Sequence, residues 1–243
     1  QVFCEDTLDR SPVPGCFGKN GDITYLDWML SAWGWTVSVS VLALLLALAS
    51  GMIIGVLRTL PNNKWAVRFG NAWVEFFRNI PLLVQIFLWY HVVPTMFPAM
   101  KAVPGFVLVV LALGFFTSAR IAEQVRSGIQ ALPRGQRYAG LAMGFTTFQT
   151  YRYVLLPMAF RIIIPPLTSE FLNIFKNSSV ASLIGLMELL AQTKQTAEFS
   201  ANLFEAFTLA TLIYFTLNMS LMLLMRLVEK KVAVPGLISV GGK

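Results

Sequence analysis

Residues 134–165 read RGQRYAGLAMGFTTFQTYRYVLLPMAFRIIIP, a stretch with four arginines and no acidic residue, set between long apolar runs. Pro133 closes the apolar run before it, and Arg134-Gly135-Gln136 have the composition of a turn. A short helix is expected over 138–143, with Ala139, Gly140 and Ala142 as its small residues and Gly144 as its breaker. A second, capped by Thr147, is expected through Phe148, Tyr151, Tyr153 and Val154, ending at Leu156-Pro157, where the chain turns back into apolar sequence. Two short helices at an elbow, small on one face and aromatic on the other, make a knob for a groove in a partner protein. The same residues also fit an amphipathic helix lying on lipid headgroups, arginines toward phosphate.

Composition decides between solvent classes. Of 243 residues, 56% are hydrophobic and 13% charged, with a mean hydropathy of +0.65, so too little polar surface exists to coat a soluble globule. The expected fold is an all-α, polytopic membrane protein. A formal charge of +7 does not imply nucleic acid, because the basic residues cluster beside apolar runs and form no continuous face.

Five crossings are expected. Residues 32–57 exceed the roughly 20 residues needed to cross the hydrocarbon core. A second crossing over 79–97 contains Pro81 and Pro94 and should be kinked; a third covers 105–128, a fourth 159–175 and the last 204–227. Residues 180–190 are too few to cross alone and suit a re-entrant or interfacial piece. Glu5, Asp6, Asp9, Asp22 and Asp27 precede the first crossing, whereas Arg58, Lys64 and Arg68 follow it, so the N-terminus is expected outside. The loops over 58–78 and 134–161 and the tail after Arg226, Lys230 and Lys231 are then inside. An even number of crossings would instead leave that tail outside.

Enzyme motifs are sparse. His91 is the single histidine, so a histidine metal site or a serine–histidine triad is hard to build, and no metal site is expected. Residues 15–20, GCFGKN, lack the first glycine and the hydroxyl of a phosphate-binding loop, so no cofactor is expected in this chain and any ATP belongs to another one. Cys4 and Cys16 both fall in the exterior segment, where a disulfide and two unlinked small residues are equally open readings.

Ala139, Gly144, Val154 and Leu156-Pro157 have the spacing of the loop motif in membrane subunits of bacterial ABC importers. The stretches EFFRNIPLLVQ from Glu75, EQVRSGIQ from Glu123, LPRGQ from Leu132 and EFLNIFKNSS from Glu170 are similar to the polar amino acid branch of that family. Their wording most resembles the permeases for glutamate and aspartate. The resemblance implies a periplasmic segment at 1–28 and a permease domain at 29–243, with a coupling loop at about 134–157. It implies a bacterial inner-membrane location, N-terminus periplasmic and C-terminus cytoplasmic. The implied partners are an ABC ATPase dimer that binds the ATP, a second and related permease subunit, a periplasmic amino acid-binding protein and the lipid bilayer. The chain itself would be a transport subunit without enzymatic activity. In this family the loop motif starts with an acid and two alanines, where this chain has Tyr138-Ala139-Gly140. Docking on the ATPase is therefore assigned to Arg137, Tyr138, Ala139, Gly140, Gly144 and Arg152.

Charges inside crossings are the default candidates for a substrate path. Arg120 lies deep in the third crossing, and a guanidinium grips a carboxylate through two hydrogen bonds. Thr117 and Ser118 are possible donors beside it, and Glu170 and Lys176 lie in the fourth crossing. Equally, Arg120, Glu123 and Arg126 recur at i, i+3 and i+6, so Glu123 is expected to pair along one helix face, a structural role shared with Arg126. A carrier or channel working without ATP is the alternative function. It would call for polar residues through several crossings and for matching halves, and neither is visible.

Overall fold

Thr24 and Asp27 cap one another: the Thr24 N–H donates to Asp27 Oδ2 at 3.0 Å and the Asp27 N–H to Thr24 Oγ1 at 3.3 Å. This starts α1, Tyr25–Leu57, about two turns before the expected apolar edge, because capping rather than hydropathy sets the boundary. The computed structural model describes every residue except 1, 9, 10, 14, 18–21, 62 and 233–243. The weak loop motif over 15–20 and the expected tail therefore lie partly outside the described residues. The Cys4 and Cys16 sulfurs are joined in a disulfide.

The segment expected as a loop over 58–78 is mostly helix, α2, Lys64–Asn79. Asn63 caps it, accepting the Ala66 N–H at 3.0 Å, and Gly70, Val74 and Phe77 form its buried stripe at i, i+4 and i+7. Its charges hid that period from a reading for apolar runs. Ile80 is extended ahead of Pro81, as a residue before proline prefers, and α3 follows at Leu82–Met96. The expected distortion in α3 is a π-turn over Leu88–Val92, in which the Val93 N–H donates to the Leu88 carbonyl just before Pro94.

α4 spans Gly105–Gln130, α5 Arg134–Ala142 and α6 Thr147–Ile184. Gly144 breaks the chain between α5 and α6 with φ +81, a left-handed conformation that favours glycine. Thr146, not Thr147, caps α6 through a reciprocal bond with Gln149. The helix expected to stop at Leu156-Pro157 does not stop. A π-turn over Tyr151–Leu155, closed by the Leu156 N–H on the Tyr151 carbonyl, shifts the bonding by one residue so that Pro157's missing N–H interrupts nothing. The apolar run near 180–190 is divided: Ser178–Ile184 forms a 3₁₀ end to α6, Gly185 turns at φ +82, and α7 runs Leu189–Ser200. Last, α8 covers Leu203–Val232, with Glu205 in its first turn and Lys230 and Lys231 in its last, each favourable to the helix dipole.

Four of these helices are long and apolar enough to cross a membrane; α2 and α3, bent by 103° from one another, pass the same test only as a pair, and so form either a broken fifth span or a re-entrant loop. The described residues group into two units. One draws on Gln1–Ala43, Leu83–Leu113 and Ile174–Ser220, the other on Leu44–Leu82, Gly114–Asn173 and Leu221–Lys243. In the first, Met29, Leu189 and Ala210 form the core. In the second, Ala47, Ile121, Val125, Leu155, Ala159 and Ile163 pack α1, α4 and α6 together.

Small residues set the spacing in that second core. A Cβ on Gly55 would lie 2.5 Å from Val125 Cβ, and one on Gly128 would lie 2.4 Å from Ile163 Cγ1. Gly55→Val is therefore expected to lower the thermal midpoint of the detergent-purified protein, at a cost of about 1–3 kcal/mol. Gly34→Ala, inside α1 with nothing within 4 Å of the added Cβ, should not lower it and should raise it slightly.

Candidate functional site

A cavity of about 490 Å³ in the second unit is lined by Arg78, Phe116, Arg120, Glu123, Gln124 and Glu170. Arg120, Glu123 and Gln124 come from one turn of α4, Glu170 from α6, and Arg78 from the last turn of α2. Arg120 Nε lies 3.0 Å from Glu170 Oε2, and Gln124 Nε2 donates to Glu170 Oε1 at 3.2 Å. The pair is lopsided: the Glu170 side chain is 5% exposed and that of Arg120 is 42% exposed. A buried carboxylate thus holds the root of a guanidinium whose outer part faces the cavity.

The local pairing expected for Glu123 is only part of its environment. Arg58 Nη2 donates to Glu123 Oε1 at 2.9 Å, and Arg78 and Arg126 stand 3.7 and 3.8 Å from its oxygens. Arg120, one turn away, pairs with Glu170 across to α6 instead of with Glu123. A sequence reading confined to i, i+3 neighbours could not see Arg58, 65 residues earlier. Nor could it find Arg78, which belonged to an unrecognised helix.

Thr117 and Ser118 are buried and are not among the cavity-lining residues. Ser118 Oγ donates to the Phe115 carbonyl at 2.7 Å and accepts from Trp73 Nε1 at 3.0 Å, which commits it to packing α2 on α4. Lys176 is exposed on α6. Glu188, not singled out beforehand, is fully buried in the first unit. It caps α7 by accepting the Leu190 and Ala191 N–H groups at 2.9 Å and the Tyr214 hydroxyl at 3.0 Å. An acid just ahead of a helical run was the available signal.

At the α5–α6 corner, Tyr138, Leu141, Met143 and Phe148 are exposed, Tyr138 to 64% and Phe148 to 77%. Ala139 is exposed as well, and Arg152 lies over the Tyr153 ring. Gly140 is buried, and a Cβ there would meet Thr150 Cγ2 at 3.0 Å, a contact that asks the threonine to give by a few tenths of an ångström. Arg137 is half-buried and lines a second cavity with Arg58 and Arg134. Among the described residues, no cluster of side chains could hold a metal ion.

A family model described as a binding-protein-dependent transport system inner membrane component matches residues 47–234. The glutamate/aspartate import permease protein GltJ of Escherichia coli K12 is 47% identical over 233 residues, covering 92% of this chain and 94% of that protein. A probable glutamine ABC transporter permease, GlnM of Bacillus subtilis, is 35% identical over 198 residues, covering 81% and 89%. The solved structure of an amino acid ABC transporter with histidines superposes with a TM-score of 0.75 at 30% identity, covering 85% of this chain and 95% of its own.

Replacing Arg58 by Met should lower stability by about 1–2 kcal/mol in denaturation of the purified protein. That is less than the 3–5 kcal/mol of a fully enclosed pair, because Glu123 keeps 32% of its side chain exposed. Adding Glu123→Gln to that variant should restore part of the loss, and strictly additive effects would show that the two are not coupled.

Proposed function

The chain belongs to the binding-protein-dependent transport system inner membrane components, and from that premise we propose that it forms half of the path through which an ATP-driven importer moves glutamate or aspartate. The Arg120–Glu170 pair at the wall of a cavity between membrane-spanning helices carries this reading. A free amino acid is a zwitterion, and a pair of opposite charges offers a partner to each of its ends. Arg120 presents donors to the carboxylate, and Glu170 accepts from the ammonium. Arg78, 62% exposed on the same wall, supplies a second cation for the side-chain carboxylate of an acidic substrate. Glutamine, named for one of the relatives, brings no side-chain charge to that cation.

The partner reading rests on the α5–α6 corner. Its exposed Tyr138, Ala139, Leu141, Met143 and Phe148 form an apolar and aromatic knob of the kind that fills a groove. Arg152 adds charge at its edge, while Gly140 and Gly144 shape it. The groove belongs to an ATPase, which binds the ATP; a second permease subunit completes the path, and a periplasmic binding protein delivers the substrate. In this arrangement the N-terminus is periplasmic and the corner cytoplasmic.

Uptake of labelled glutamate, aspartate, glutamine and arginine by vesicles holding the assembled importer and its binding protein tests both parts. Arg120→Met should cut acidic amino acid uptake by tenfold or more, the loss of about 1.4 kcal/mol or more of binding. Full acidic uptake by that variant would discard Arg120 as a contact. Gly144→Trp places a side chain at φ +81 and should abolish ATP-coupled uptake while the protein stays in the membrane. Unaltered transport would remove the elbow from the mechanism.

A further inference from the structure

We propose that the second cavity, between the end of α1 and the start of α5, binds the phosphate group of an anionic phospholipid. It measures about 400 Å³, and Arg58, Arg134 and Arg137 line it without a single carboxylate. The strongest sign of a missing anion is Arg58. Its side chain is 5% exposed, Nε donates to Asn71 Oδ1 at 2.8 Å and Nη2 to Glu123, yet Nη1 is buried with no hydrogen-bond partner among the described residues. Burying an unused donor of a charged group is costly; Nη1 has no open surface, so an oxyanion in the cavity that Arg58 lines would offset the cost of this buried charge through its field, without a direct bond to Nη1.

Two further observations point to an anion. None of the ion pairs among the described residues involves Arg134 or Arg137, so both charges are available. The first turn of α5 holds no acidic residue and no side-chain cap, and Pro133 and Arg134 at that end line the cavity, so the positive end of the helix dipole adds to the guanidinium field. Tyr151 is already committed, its hydroxyl donating to the Thr59 carbonyl at 2.6 Å.

A phospholipid rather than free phosphate is indicated by the rest of the wall. Leu60, Ile129, Leu132 and Leu155 give it an apolar side. Thr59 and Leu60 follow one membrane-spanning helix, and Pro133 follows another, which sets the cavity at the ends of spans where headgroups lie. Basic pockets between spanning helices are a recurring way to hold anionic headgroups. Arg120 and Glu170 take no part in this site, which meets the first cavity only through the Arg58–Glu123 bond.

The test uses the assembled importer in nanodiscs of equal phosphatidylcholine and phosphatidylglycerol, released into the gas phase for native mass spectrometry. The wild type should retain phosphatidylglycerol over phosphatidylcholine. Arg134→Gln, at an exposed position outside the residues assigned to ATPase docking, should reduce that retention by about threefold or more, with Arg134→Lys keeping most of it. Inorganic phosphate supplied to phospholipid-free protein in detergent separates the sources. If it binds, if the Gln variant loses that binding, and if phosphatidylglycerol shows no preference, the lipid assignment is overturned. Equal phosphatidylglycerol retention by wild type and Gln variant overturns it too. So does loss of ATPase association in the Gln variant whatever the lipid, which would give Arg134 to a partner's carboxylate.

Discussion

Arg58 holds three helices in register. It follows the last residue of α1, donates to Asn71 of α2 and to Glu123 of α4, and lies so close to α2 that Gly70 admits no Cβ, which would stand 2.5 Å from Arg58 Cγ. Burying a guanidinium among apolar helices returns little net stability even when paired. What it fixes is geometry: each donor has a direction, and α2 and α4 can meet both only in one arrangement. That is why a segment so rich in charge folds as a helix at all, its apolar stripe turned inward and its Asn71 turned to Arg58.

The pairing also sorts the remaining charges. Glu123 lies within 4 Å of Arg58, Arg78 and Arg126, so Arg120 reaches instead to the buried Glu170. Of the four arginines and two glutamates in this network, Arg78, Arg120, Glu123 and Glu170 line the first cavity, where their formal charges balance. The surplus belongs to Arg58 and Arg126, which meet Glu123 from outside that lining, and a surplus at membrane depth is expensive unless water or an anion shares it.

Much of this was readable in the chain, and the divide is physical. Long apolar runs such as 32–57 and 204–227 announce spanning helices because the bilayer demands length and apolarity together. Gly144 was legible as a breaker because few other residues tolerate a positive φ. The amphipathic α2 and the polar α7 were not, since neither satisfies the length-and-apolarity test and both depend on partners distant in sequence. At the site, Arg120 and Glu170 could be named individually as charges out of place. That they meet across 50 residues could not be seen from helical spacing, nor could Ser118's commitment to Trp73.

Pro157 is the instructive error. A proline after two short helical segments reads as a stop, and a stop there would put a second joint in the loop. The π-turn over Tyr151–Leu155 removes that joint by letting the chain pass the missing N–H with its helix intact. One continuous helix then runs from Thr147 into the membrane, and Gly144 is left as the only left-handed break between it and α5. The base of this helix is also tied down, since the Tyr151 hydroxyl holds the Thr59 carbonyl one residue beyond Arg58. A push on the exposed aromatic corner therefore has no loose segment in which to dissipate. It bears on the end of α1, and through Arg58 on Glu123 and the wall of the charged cavity.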